Sequence, residues 1–128
     1  MPLTACPCSR PLKFVDCCGR YLGHFDETPA PEAESLMRSR YSAFVLGDRE
    51  YLLSTWHPKY RAAKLELEAD TRWLGLEVRS HRVIDADHAE VEFVARSRPP
   101  GGKAARLHER SRFVRENGRW CYLDGEMI

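Results

Sequence analysis

Four of the five cysteines in this 128-residue chain stand within residues 6–18, in the stretch CPCSRPLKFVDCCG. No other feature limits the fold as much. Thiols this dense serve a disulfide knot, a redox site or a metal. The pattern is Cys6-x-Cys8-x8-Cys17-Cys18. Neighbours such as Cys17 and Cys18 do not readily bridge each other, because a disulfide needs a specific Cα separation and dihedral. A knot of Cys6–Cys17 and Cys8–Cys18 requires oxidising surroundings. A redox site more naturally shows the two-residue gap of Cys-x-x-Cys. Two close pairs across a short loop can supply the tetrahedral four-thiolate array of structural zinc. Spacing and compartment together favour Zn2+ on Cys6, Cys8, Cys17 and Cys18. Such a site is closed and leaves no position open for substrate. His24 is a further ligand candidate, but four thiolates already complete the site, and an ordinary loop histidine is the simpler reading.

The residues around the cluster bear on its compartment. The start, MPLTACPC, has neither a basic stretch nor an apolar core, so no signal peptide is expected. No apolar run approaches the roughly 20 residues of a membrane helix. A cytoplasmic protein without a membrane partner is expected, and there thiols stay reduced. Net charge is +1, so an electrostatic partner must be read locally. Hydrophobic residues at 43% are enough for a real core.

Residues 1–27 carry no helical or alternating pattern and form a zinc element that cannot supply a core alone. Residues 28–128 form the main domain. DETPAPEAES marks the boundary, with Pro31, Glu32 and Glu34 suited to a helix start. Ala33, Leu36, Met37, Tyr41, Phe44 and Val45 recur at helical spacing. Gly47 suits the helix end and Asp48 the N-cap of a second, shorter helix carrying Tyr51, Leu52 and Trp56. Residues 59–72 read equally as strand, from LELE, or as helix. Four strand-like runs follow: WLGLEVRSHRVI, AEVEFVARSR, ARLHERSRFVRE and RWCYLD. DADH, PPGG and NG separate them, and Asn117-Gly118 is the strongest hairpin signal. An α+β fold is expected, with helices covering a four-stranded antiparallel meander.

The cysteine stretch resembles the SEC-C motif, a short zinc-binding element that usually reads Cys-Pro-Cys-Gly-Ser-Gly, a basic and aromatic stretch, then Cys-Cys or Cys-His. The likeness implies Cys6, Cys8, Cys17 and Cys18 as ligands. This chain has Ser9, Arg10 and Pro11 at the Gly-Ser-Gly turn. The remainder is similar to the YchJ (UPF0225) family through AESLMRSRYSAFVLGD, YLLSTWHP, TRWLGLEV, VEFVAR, LHERSRF and RWCYLDG, in that order. The resemblance implies a nuclear-transport-factor-2-like, cystatin-like cone, in which a curved sheet wraps a long helix and leaves a pocket. It implies fold and zinc, and no activity.

Pocket candidates are Arg38, Tyr41, Trp56, His57, Trp73, Glu109 and Ser111. On LHERSRF, Glu109, Ser111 and Phe113 share one face, expected to be buried, and His108, Arg110 and Arg112 share the other. Glu109 near His57 could form a general acid/base pair. The plainer readings make Glu109 the ion-pair partner of Arg38 or Arg40, and His57 a helix C-terminal cap. Trp56, Trp73 and Trp120 read as core, and Cys121 as a small buried apolar residue. No phosphate loop, nucleophile elbow or two-His metal helix is present. Arg96, Arg98, Lys103, Arg106, Arg110, Arg112 and Arg115 form a basic stripe with only Glu109 among them. It reads either as a solvated hairpin that discourages edge pairing or as a surface for an acidic partner. Such a partner is nucleic acid, bound weakly through phosphate, or an acidic protein surface such as an export chaperone or ribosome. The functional expectation is a binding or adaptor module using the zinc element and basic hairpin. The alternative is a pocket enzyme of isomerase or hydrolase type.

Overall fold

Alternating apolar residues and short turns give the chain four long strands, and two helices cover one face of the sheet they form. The computed structural model describes residues 5–24, 27–62, 65, 67 and 70–128. The elements are α1 (Ala33–Leu46), α2 (Arg49–Ser54), β1 (Arg72–Asp85), β2 (His88–Arg98), β3 (Ala105–Glu116) and β4 (Arg119–Met127). The strands pair antiparallel in the order β1-β2-β3-β4. This is the expected meander, and β4 runs three residues beyond the RWCYLD stretch. The two readings of residues 59–72 fall in part outside the described residues. No described helix is long and apolar enough to cross a membrane.

Local chemistry accounts for the ends of these elements. Gly47 closes α1 in the left-handed region at φ 75°. The Asp48 side chain caps α2 by accepting from the Tyr51 N–H at 3.0 Å. Asn117 and Gly118 have φ 54° and 76°, the two positive values of a type I′ turn. Register shifts in β1 and opposite Leu123 in β4 mark bulges, which bend a sheet. The Leu123 bulge leaves a carbonyl oxygen that accepts from the Trp56 indole N–H at 3.0 Å. That bond and a single parallel bridge from Trp56 to Tyr122 strap the end of α2 to β4.

Leu36, Leu52, Val91 and Phe113 are fully buried between helices and sheet. Each such side chain contributes about 1.5–3 kcal/mol by leaving water. On β3, Glu109, Ser111 and Phe113 face inward as the alternation requires, while Arg112 is exposed. The expected stripe on α1 faces the sheet, yet Ser35, Ser39 and Ser42 on another side of the helix are also buried. The cysteine segment covers that side. Cys6, Cys8, Cys17, Cys18 and Tyr21 join Leu36 and Leu52 in one continuous core.

Candidate metal centre and interior cavity

The four clustered cysteines converge. Two short 3-10 turns, Phe14–Asp16 and Cys18–Arg20, fold the second pair back onto the first. The Cys6 N–H donates to the Leu12 carbonyl at 3.0 Å and closes the loop between them. All four sulfurs lie within 4.8 Å of one another, and Cys8 Sγ is 3.6 Å from Cys17 Sγ. Four sulfurs placed about 2.3 Å from a common tetrahedral centre would stand about 3.8 Å apart. The donor set therefore fits a thiophilic metal ion, and all four thiols are buried and unbridged. Hydrogen bonds from Cys18 and then Cys8 hold the Cys6 thiol far below its usual range. The same contact with Cys6, then that with Cys8 and burial, push the Cys18 thiol up. Without a cation the cluster resists a second negative charge, and a divalent metal removes that restriction. His24 is exposed and lines a separate polar cleft with Asp48 and Glu50. Cys121 sits apart on β4, half-buried, with its thiol pushed up by burial.

Residues that depart from the motif's glycine turn anchor this element. Ser9 adopts φ 77°, the left-handed region that favours glycine. Its Oγ accepts from the Leu76 N–H of β1 at 3.3 Å. Arg10 reaches Ser35 Oγ at 3.3 Å and Glu34 Oε2 at 3.4 Å. Arg38 donates from Nε to the same Glu34 oxygen at 2.9 Å and from Nη1 to the Cys8 carbonyl at 2.8 Å. Cys6 Sγ lies 3.7 Å from Ser42 Oγ. Glu34 is thus the hub joining the cysteine loop to α1. Burial acts to raise its pKa, but Arg38 and then Arg10 outweigh it and hold the carboxyl below its usual range. A depressed carboxyl stabilises the fold above its unfolded pKa of about 4.3, and this is lost as pH falls through the folded value. Glu34→Gln is expected to cost about 1 kcal/mol at neutral pH, the small figure reflecting partial exposure. The gap from the unaltered protein should narrow below about pH 4. Urea melts across that range measure it, and a gap independent of pH would contradict the hub role.

A second feature lies between α1 and the sheet, a cavity of about 310 Å3. Tyr41, Phe44, Trp56, Trp73 and Tyr122 wall it, and Arg40, Glu109 and Ser111 supply its polar groups. Tyr41 and Trp73 meet edge-on at 5.6 Å, and Trp56 and Tyr122 tilt together at 5.7 Å. Glu109 Oε2 accepts from Ser111 Oγ at 2.5 Å and from the Tyr122 hydroxyl at 3.4 Å. A Cβ on Gly125 would collide with that oxygen, so the glycine leaves room for the carboxylate where it stands. Arg40 Nη1 donates to the Leu52 carbonyl at 2.8 Å and to Thr55 Oγ1 at 2.6 Å. The Arg40 guanidinium lies 4.6 Å over the Tyr122 ring. Burial lowers its pKa to about 10, and burial, then Glu109, push the Tyr122 hydroxyl up.

Five of the seven pocket candidates meet here: Tyr41, Trp56, Trp73, Glu109 and Ser111. Arg38 and His57 do not. Arg38 is one position round the helix from Met37 and faces the cysteine loop. His57 follows Trp56 in an extended segment, so the two point opposite ways. His57 pairs with Glu116 and meets Tyr60 edge-on at 5.9 Å. It also lies beyond the α2 cap at Thr55. The acid/base pair of Glu109 and His57 is therefore not assembled. Nor does Glu109 form a direct ion pair with Arg38 or Arg40 among the described residues; Tyr122 stands between it and Arg40. Spacing did not single out Arg40 as a pocket residue, although it falls on the helix stripe with Met37 and Phe44.

The basic stripe separates into two parts. Arg112 is bidentate on Asp124 at 2.6 and 2.9 Å. Arg110 is 3.6 Å from Glu92, Arg115 is 3.3 Å from Asp87, and Arg96 is 3.9 Å from Glu77. His108 also holds Glu92, at 2.7 Å. Arg98, Lys103 and Arg106, beside the β2–β3 loop, are exposed and have no carboxylate in ion-pair range among the described residues.

Comparison with known proteins agrees with this architecture. The family model described as the middle, NTF2-like domain of YchJ matches residues 32–125. A UPF0225 protein of Polaromonas sp. is 58% identical over 132 residues, covering 98% of this chain and 95% of the relative. Another, of Methylibium petroleiphilum, is 62% identical over 123 residues, covering 95% and 88%. The solution structure of a SEC-C motif containing protein from Rhodopseudomonas palustris superposes with a TM-score of 0.83 at 33% identity, over 96% of this chain and 98% of that one. A crystal structure of a SEC-C motif containing protein from Psychrobacter arcticus gives 0.78 at 36% identity, over 97% and 84%.

Proposed function

The chain belongs to the UPF0225 family, with the NTF2-like fold of the YchJ middle domain, and on that footing we propose that it is a zinc-stabilised binding protein whose cysteine element is a contact surface for a protein partner. The observation that carries this reading is what the element leaves outside. The 3-10 turn Phe14–Asp16 has no fully buried residue. Val15 is 67% exposed and Leu12 is 45% exposed, on either side of Lys13. A loop with so little core of its own is ordered by its ligands, so zinc holds apolar side chains toward solvent at a fixed position. Zinc is the reading for the metal because four buried thiolates in a closed set suit it, and the role is then structural. The cytoplasm suits such a protein, since reducing conditions keep the thiols free to ligate.

The chemistry of the exposed residues points to a partner with an apolar spot beside acidic groups. Arg98, Lys103 and Arg106 offer a second basic contact for an acidic protein or for nucleic acid. The paired Arg96, Arg110, Arg112 and Arg115 contribute little to it, because each already has a carboxylate partner. Protein expressed without chelator should carry one zinc per chain by elemental analysis. Leu12→Asp with Val15→Asp should keep that zinc and lose partner capture in quantitative cross-linking. Absence of zinc, or capture indifferent to both substitutions, would reject the reading.

A further inference from the structure

The interior cavity is independent of the cysteine surface, and its polar groups are unusual for a core. Arg40 is 5% exposed and Glu109 is 8% exposed. Charged groups this deep normally satisfy every donor and acceptor or pair directly. Here each is half satisfied by protein. Only Nη1 of Arg40 has hydrogen-bond partners among the described residues, and only Oε2 of Glu109. No buried side-chain nitrogen or oxygen described in the molecule lacks a partner. The remaining Arg40 donors and Glu109 Oε1 therefore reach open space, and the space both residues line is the cavity. Tyr122 sits between the two charges, its ring under Arg40 and its hydroxyl beside Glu109. Cation and carboxylate thus keep separate polar faces toward one chamber.

We propose that this cavity is a binding site for a small, flat, uncharged molecule whose apolar or aromatic body carries an acceptor and a donor on one edge, as a lactam or cyclic amide does. The aromatic walls take the body. Trp56 and Trp73 present rings from different elements, and rings pack offset or edge-to-face with a flat ligand. The carbonyl of the edge accepts from Arg40 and its N–H donates to Glu109. One cation and one carboxylate give the lining no net charge, so a neutral guest fits better than an ion, which would meet a like charge in a poorly solvated space. The volume suits a two-ring molecule, at the small end of ordinary ligand sites. Ser111 and Gly125 serve as positioning residues. The hydroxyl of the first fixes the carboxylate, and the missing side chain of the second leaves it room.

The test uses carbostyril, a two-ring lactam, as probe. Quinoline, naphthoate and naphthylmethylammonium are the controls that lack the donor, add a negative charge or add a positive one. Backbone and indole N–H shifts are followed by NMR in the intact, metal-loaded protein. Carbostyril should give saturable shifts at Trp56, Trp73 and Tyr122, with Kd below about 1 mM for a fragment of this size. Each control should bind at least about tenfold more weakly. Glu109→Gln should weaken carbostyril about tenfold, a difference of about 1.4 kcal/mol. Should that variant fold poorly, Ala95→Leu is the second, since it fills the cavity and leaves both charges; it should abolish the shifts. Non-saturating shifts, equal binding of quinoline, tighter binding of either ion, or shifts that survive Ala95→Leu would each overturn the assignment.

Discussion

Chelating the metal proposed for Cys6, Cys8, Cys17 and Cys18 is expected to release residues 5–24 from α1 and lower the melting temperature of the whole chain by more than about 10 °C. Structural zinc contributes an apparent ~10–16 kcal/mol to the folding of small zinc-finger peptides. Here part of that coupling passes to the larger domain. The cysteines belong to the same core as Leu36 and Leu52, and their loss frees Ser35 from Arg10 and Ser42 from Cys6 on α1. The pairing of β2 with β3 does not depend on them and should persist. Calorimetry gives the shift, and hydrogen exchange shows where protection is lost. Cys8→Ser should reproduce both effects. An unchanged melting temperature after verified metal removal would refute a structural role.

Arg40→Met should cost about 2–4 kcal/mol, because it strips hydrogen bonds from buried acceptors and leaves Glu109 without its nearby cation. The Leu52 carbonyl and Thr55 lose their donor. Glu109 also loses the nearby cation whose field it shares. Combining Arg40→Met with Glu109→Gln should recover part of the loss, because no lone charge then stays buried. Urea denaturation of the two single variants and the double one closes the cycle. Strict additivity would mean that the two charges are not coupled through Tyr122.

Much of the architecture was legible because it follows from local rules. The alternation on β3 placed Glu109, Ser111 and Phe113 inward. Gly47, Asp48 and Asn117-Gly118 marked their caps and turn from residue type alone. The cysteine spacing assembled the cluster. What was missed depends on which element covers which face. Apolar spacing identifies the side of α1 that meets the sheet, and says nothing of a second cover. Ser35, Ser39 and Ser42 recur on one side of the helix, and small residues at that spacing were the available signal of close approach. Sequence alone offers Arg40 only as a possible ion-pair partner of Glu109 and not as a cavity residue, because residue type predicts exposure for an arginine. His57 and Arg38 went astray because adjacency in sequence to Trp56 and Met37 does not put side chains on one side.

The contact between Cys6 and Ser42 also orders events in time. A growing chain leaves the ribosome N-terminus first, so all four thiols are exposed before α1 has emerged to cover them. Capture of a metal ion by the cysteine loop and its burial by α1 would then be separable steps. A metal ion bound at that stage would still be open to exchange with other ligands. The helix then arrives as a lock, with Arg38 on the Cys8 carbonyl and Ser42 against Cys6. With the helix in place, release of a bound ion would require α1 to lift away.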